Sequence, residues 1–314
     1  MRCLSRTWER EIAIADCGDA LGMLDCITQS LPQMSPNPEA RMPNPGRTAF
    51  IGGGNMARSL IGALIRSGAD PHSIAVAEPD ETARTSLTQE FGVATHMRSA
   101  DAVAGAQTII LAVKPQVMHS VCVELAAALG DAAPLIISIA AGIRLDQMQA
   151  WLGALPIVRC MPNTPALIGA GATGLFANTQ ASAEQRQRAE TILGAAGRTA
   201  WIEREELMDT VTALSGSGPA YFFLLVEALE DAAVAQGLPR ETARMLASQT
   251  CLGAGRMLVE GGEAPGKLRE RVTSPGGTTA AALNAFEVGH FRELVAKAVD
   301  AAAQRGKELS ARDP

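Results

Sequence analysis

The sequence predicts an α/β fold: a Rossmann-like, mostly parallel sheet domain followed by an all-α domain. Three observations predict it. Short aliphatic runs alternate with helical stretches of about ten to fifteen residues from Thr48 to Trp201, the pattern of βαβ units. A glycine string, Gly52-Gly53-Gly54, separates the first run from the first helix. After Glu205 the strand signal disappears and only helical spacing remains.

The run Thr48–Ile51 is apolar and stops at Gly52; Leu60, Ile61, Leu64 and Ile65 then recur at helical spacing until Gly68. A second strand is expected at Ile74–Ala77, with a helix beginning near Asp80. Thr108–Val113 is continuously apolar, as in a parallel strand buried on both faces. Leu135–Ile139 repeats that character, and Ile157–Met161 does so more weakly. One or two further strands are expected between Gly169 and Trp201, around a helix starting near Ser182. Four helical stretches follow: Leu207–Gln236, Arg240–Val259, Thr278–Glu287 and Phe291–Leu309. Their apolar faces are broad enough to be buried on more than one side, which predicts a helical subunit interface. The chain thus divides into an extension over 1–46, a dinucleotide-binding domain over 47–205 and a helical domain over 206–314.

The extension carries Pro32, Pro36, Pro38, Pro43 and Pro45, a density that favours extended, uncompacted chain. Glu9, Glu11, Asp16 and Asp19 break any secretory apolar run. Two readings are open: a poorly ordered extension, or sequence upstream of a start at Met42. The second is preferred.

Composition excludes several function classes. A 314-residue chain with 47% hydrophobic and 19% charged residues is globular, and 4% aromatics give it an aliphatic core. A formal charge of −6 without a Lys/Arg run offers nucleic acid no track. No apolar stretch is long enough to span a bilayer. Six cysteines without a Cys-x-x-Cys pair read as reduced thiols in a cytoplasmic protein, and four histidines without ligand spacing predict no metal site.

Gly52-Gly53-Gly54-Asn55-Met56-Ala57 reads Gly-x-Gly-x-x-Ala at a strand-to-helix junction. The first glycine permits the turn, the second admits a pyrophosphate to the backbone, and Ala57 allows close helix–strand packing. The helix N-terminus adds unpaired N–H groups and partial positive charge. Glu78, at the end of the second strand, stands where an acid bonds the adenosine ribose hydroxyls and favours NAD over NADP; an ordinary surface acid is the alternative. Ala112-Val113-Lys114-Pro115 and Ser138-Ile139-Ala140-Ala141-Gly142 end strands that converge on the same crevice. Lys114 lies between a buried strand and a proline, a placement that suits function better than a solvated loop lysine. Farther on, Ser274-Pro275-Gly276-Gly277-Thr278-Thr279 leads into a helix; its glycines and hydroxyls suit either an anion nest or an ordinary N-cap. In Ser215-Gly216-Ser217-Gly218-Pro219-Ala220-Tyr221 the glycines read as close helix packing.

From Thr48 to Leu309 the sequence resembles the pyrroline-5-carboxylate reductase family. The matching segments are Phe50–Ala57, Leu111–Gln116, Ser138–Gly142, Met161–Pro165, Leu214–Tyr221 and Pro265–Thr279, the last being the most specific. The resemblance implies NADPH- or NADH-dependent reduction of L-1-pyrroline-5-carboxylate to L-proline, the last step of proline synthesis. It also implies that 206–314 is a dimerisation and substrate domain, in a homodimer or a higher assembly of dimers. Gly52, Gly53, Gly54, Asn55, Met56, Ala57, Ala112, Val113, Lys114, Pro115, Ala140 and Gly142 match the family's cofactor positions. Ser274, Gly276, Gly277, Thr278 and Thr279 match the loop holding the substrate carboxylate and ring nitrogen, with Thr279 as the catalytic candidate. Two positions depart: Ser99 stands in place of a cofactor-contacting Asn, and Glu78 replaces a neutral or phosphate-compatible residue. Alternatives are a reductase of a related cyclic imine and a non-catalytic dinucleotide sensor. A β-hydroxyacid dehydrogenase is disfavoured, because no lysine occurs between residues 115 and 266 to serve as its helix-borne catalytic base.

Overall fold

The computed structural model describes residues 46–311, so the expectations for the extension lie outside the described residues, save Gly46. Eight strands form one sheet in the order β3-β2-β1-β4-β5-β6-β7-β8. In chain order the first half comprises β1 (Thr48–Ile51), α1 (Asn55–Arg66), β2 (Ile74–Ala77), α2 (Glu81–Phe91), β3 (Ala94–His96), α3 (Ser99–Val103) and β4 (Thr108–Leu111). Next come α4 (Pro115–Leu129), β5 (Leu135–Ser138), α5 (Leu145–Leu152), β6 (Ile157–Met161), β7 (Gly171–Ala177), α6 (Ala183–Gly194) and β8 (Gly197–Trp201). Only the β6–β7 pair is antiparallel.

The continuous apolar runs are explained by burial on both faces. Successive strand side chains point to opposite sides. Phe50, Val76, Ile110 and Ile137 enter one core with Leu60, Ile61 and Leu64 of α1 and Ile192 of α6. Their neighbours Ile51, Ile109, Leu111 and Ile136 enter the other, with Met118 and Leu125 of α4 and Met148 of α5. Each such fully buried side chain contributes about 1.5–3 kcal/mol of transfer free energy. Cys122 and Cys160 belong to these cores; burial pushes the Cys122 thiol up to about 12 and that of Cys160 well above its ordinary value. Neither is a thiolate nucleophile at neutral pH.

Two expected strands end early: that over Leu135–Ile139 stops at Ser138. The strand expected over Thr108–Val113 ends at Leu111, because its partners β1 and β5 end at Ile51 and Ser138. Ala112 keeps one ladder bond, to the Ile51 carbonyl at 2.8 Å, and the chain then turns away. The short edge strand β3 was not expected: its residues Ala94, Thr95 and His96, exposed or half-buried, carry no alternation to read.

Beyond β8 the structure is helical: α7 (Met208–Val211), α8 (Gly218–Ala235), α9 (Arg240–Glu260), α10 (Pro265–Arg271), α11 (Thr278–Val288) and α12 (Phe291–Ser310). The expected single stretch Leu207–Gln236 is instead broken by a π-helical turn at Thr212–Gly216, where the Ser217 N–H donates to the Thr212 carbonyl at 2.8 Å. Its cause is readable in Pro219, which has no N–H to offer the carbonyl four residues earlier. That carbonyl, of Ser215, accepts instead from the Asn163 side-chain amide at 3.0 Å. No helix among the described residues is long and apolar enough to cross a membrane.

Candidate active site

The strand register assembles the site. Ile51 is level with Ala77 and Leu111, and Leu111 with Ser138, so β2, β1, β4 and β5 end in one row. Between β1 and β4 the chain's progress across the sheet reverses, the point where open α/β sheets bind ligands. Glu78, Gly52, Ala112 and Ile139 are the first residues beyond these four ends.

Each glycine of the loop has a distinct reason. Gly52 has φ +99°, and a Cβ there would lie 2.7 Å from the Ala112 carbonyl oxygen, so only glycine lets the two loops approach. A Cβ on Gly53 would meet Leu87 of α2 at 2.6 Å. Gly54 has ordinary dihedrals, φ −69° and ψ −178°, and a Cβ there would meet no protein atom within 4 Å. The protein's own packing therefore does not require glycine there, and the space in front of the α1 N-terminus is open. That end carries no side-chain cap and no acid in its first turn, so Asn55, Met56 and Ala57 present their N–H groups to an anion. Ala57 is buried against the sheet, as close helix packing requires. The loop fits a dinucleotide pyrophosphate.

Glu78 borders the same loop. Its Oε2 accepts from the Gly53 N–H at 2.9 Å and its Oε1 from the Asp80 N–H at 3.1 Å. On the other side of Gly52, Ala112 and Val113 lead to exposed Lys114, which with Pro115 opens α4 at another N-terminus without a side-chain cap. Ala140 is buried, and its N–H donates to the Ser138 hydroxyl at 3.4 Å. Gly142 turns with φ +77°, and a Cβ on it would lie 3.7 Å from the backbone of Leu309, so α12 lies over this loop. The glycine loop, Glu78, Ala112–Pro115 and Ala140–Gly142 therefore share one edge. Ser99 is half-buried at the first residue of α3.

The loop Ser274–Thr279 is built differently. Gly276 has φ +69°, and the Gly277 N–H closes a turn on the Ser274 carbonyl at 3.1 Å. A Cβ on Gly277 would lie 2.5 Å from the Ser274 hydroxyl, so the turn is shaped around glycine. Thr278 and Thr279 begin α11, whose N-terminus has no side-chain cap and no acid in its first turn. Ser274, Gly276 and Thr278 are exposed and Thr279 is partly so. Among the described residues, no hydrogen bond joins this loop to the glycine-loop edge. No group of His, Cys, Asp and Glu among them is arranged to hold a metal.

Residues that no sequence pattern assigned a role sit behind the edge. Asn163 is buried; besides donating to Ser215 it accepts from the Ala172 N–H at 2.9 Å. The Met-Pro-Asn-Thr-Pro string was the only signal for it. Arg159 of β6 pairs with Glu205 at 2.9 Å, and the same Glu205 oxygen accepts from the Leu145 N–H at 2.8 Å. This buried pair ties the sheet to the start of the helices, and nothing in the spacing of Arg159 and Glu205 announces it.

Residues 205–309 match the family described as pyrroline-5-carboxylate reductase dimerisation, and residues 47–142 match that of coenzyme F420-dependent NADP oxidoreductases. Pyrroline-5-carboxylate reductase from Pseudomonas aeruginosa is 49% identical over 84% of this chain and 97% of its own length. The enzyme of that name from Arabidopsis thaliana is 42% identical over 84% of this chain and 95% of its own. A Coxiella burnetii pyrroline-5-carboxylate reductase structure, 44% identical, superposes with a TM-score of 0.83 over 86% of this chain and 100% of that one. The Plasmodium falciparum pyrroline carboxylate reductase with NADP bound, 28% identical, gives 0.74 over 84% and 98%. The chain belongs to the pyrroline-5-carboxylate reductase family.

Proposed function

We propose that this protein reduces L-1-pyrroline-5-carboxylate to L-proline with a reduced nicotinamide dinucleotide, in the cytoplasm. The observation that carries the reading is the pairing of two unlike anion seats in one family chain: the open space before Gly54 for a pyrophosphate, and the Gly276–Thr279 turn for a carboxylate.

The dinucleotide is held by Gly52 through Ala57 at its phosphates, by Glu78 at the adenosine ribose, and by Ala112–Pro115 with Ala140 and Gly142 toward the nicotinamide. When bound it supplies the hydride for the imine carbon. The chain's own residues bind and orient. The N–H groups of Thr278 and Thr279 take the substrate carboxylate, and the Thr279 hydroxyl accepts from the protonated ring nitrogen. A substrate bound as the iminium brings with it the proton that the product nitrogen keeps, so no strong general acid is required. This agrees with the absence of a His or carboxylate from the Ser274–Thr279 loop.

The seats are joined by a second copy. Phe222, Phe223 and Leu224 of α8, Leu252 of α9 and Leu294 of α12 are large apolar side chains exposed on a single chain. Such an area marks a subunit contact. The division of the chain at about residue 205 separates the sheet that holds the dinucleotide from the helices that pair.

The test is oxidation of NADH and NADPH followed at 340 nm, with product analysis. Substrate-dependent oxidation yielding proline in equal amount is expected. A folded, dinucleotide-binding protein that oxidises neither in the presence of the imine contradicts the proposal.

A further inference from the structure

We infer that Glu78 makes this protein prefer NADH to NADPH, by gripping the vicinal hydroxyls of the adenosine ribose and repelling a 2′-phosphate. The inference rests on the dinucleotide reading of the site and goes beyond it, since the Plasmodium falciparum relative is described with NADP.

Glu78 is fixed at both ends. Its backbone N–H donates to the His96 carbonyl of β3 at 2.9 Å, which pins the residue at the end of β2. Its carboxylate accepts the Gly53 N–H at 2.9 Å and the Asp80 N–H at 3.1 Å, one on each oxygen. A side chain that waved in solvent would be a weak discriminator. This one is held against the glycine loop by two backbone donors. A carboxylate offers about four acceptor positions, so roughly two remain for the two ribose hydroxyls. A 2′-phosphate has no proton to give those positions at neutral pH and carries close to two negative charges, as phosphate monoesters do.

The nearest carboxylates add to that charge. Asp80 caps α2 through the Ala83 N–H at 2.7 Å, and Glu81 follows in the first turn, so two more acids flank Glu78. The bordering arginines are engaged: Arg84 donates to the carbonyls of Glu78 and Pro79 at 2.8 and 2.7 Å, and Arg58 pairs with Glu90 and reaches the Ala83 carbonyl at 3.3 Å. To grip a 2′-phosphate, Arg84 would have to leave two carbonyls and approach past the fixed carboxylate.

The test is calorimetric binding, without imine, of NADH and NADPH and of the fragments ADP-ribose and 2′-phospho-ADP-ribose. Wild type and Glu78→Gln are compared. Wild type should bind each nucleotide lacking the phosphate at least about tenfold more tightly than its phosphorylated counterpart, a difference of about 1.4 kcal/mol. Glu78→Gln keeps an acceptor for the Gly53 N–H but loses the charge, and should shrink that ratio by about tenfold, chiefly by strengthening NADPH. Should Glu78→Gln fail to fold, the wild-type ratios for both pairs decide alone. NADPH binding as tight as NADH in wild type, or an unchanged ratio in a folded Glu78→Gln, overturns the inference. Binding of no nucleotide removes the dinucleotide reading and this inference together. Tight, NADH-selective binding with no imine reduction leaves the inference standing and removes the proposed reaction instead.

Discussion

At the scale of single residues, Gly52 and Gly54 of one loop differ in what the fold demands of them, and substitution separates them. Gly52 is dictated by the fold: Gly52→Ala places a Cβ in the left-handed region and 2.7 Å from the Ala112 carbonyl. Such strain costs about 1–3 kcal/mol, which thermal or denaturant unfolding of the dinucleotide-free protein will register. Gly54 is not dictated by the fold, and the proposed site assigns it to the ligand: Gly54→Ala meets nothing in the protein and adopts ordinary dihedrals. That variant should unfold like wild type yet bind NADH at least tenfold more weakly, and equal loss of stability in both variants would contradict the assignment. In the proposed site, Thr279→Ala removes one hydrogen bond to a charged nitrogen, worth about 1.5–3 kcal/mol. A ten- to hundredfold fall in kcat/KM is expected, with Thr279→Ser recovering most of it; unchanged turnover and affinity in Thr279→Ala would show that its hydroxyl has no such role. Gly52 was legible in the sequence because it acts through its own backbone position. Asn163 was not, because what makes it important is the Ser215 carbonyl far along the chain, left without a donor by Pro219.

At the scale of elements, the central strands were legible because burial on both faces leaves a nearly continuous aliphatic run, as in β2, β4 and β5. Their ends were harder to read. Ala112 and Val113 are as apolar as the strand before them, and only the lengths of β1 and β5 stop β4 at Leu111. The π-helical turn was hidden in the same way, inside an apolar stretch with helical spacing. Asn163 holds that turn against the end of β6, where a Cβ on Gly216 would already lie 2.6 Å from the Met161 methyl. Asn163→Ala orphans the Ser215 carbonyl and the Ala172 N–H, each at about 1–3 kcal/mol. Asn163→Asp keeps the acceptor for Ala172 and should recover part of the lost stability in denaturant titration. Equal loss in both variants would mean that the Ser215 contact alone matters.

At the scale of the whole molecule, the sheet and its helices form two continuous cores, whereas the C-terminal helices leave large apolar residues uncovered. The breadth of those apolar faces was visible in the sequence; their partner lies outside a single chain. A homodimer is therefore expected in sedimentation. Phe223→Glu, on a side chain 68% exposed in the single chain, should shift it toward monomer and lower imine reduction more than NADH binding. Dissociation with full retention of activity would show that each chain carries a complete substrate seat by itself. The central claim, that this protein moves hydride from a bound nicotinamide to the imine carbon, is tested most directly by single-turnover reduction of pyrroline-5-carboxylate with NADH deuterated at the transferring carbon-4 position. Proline carrying one deuterium at C5, bound to carbon and not exchanged by water, is expected. Unlabelled proline, or consumption of the labelled dinucleotide without proline, would contradict it.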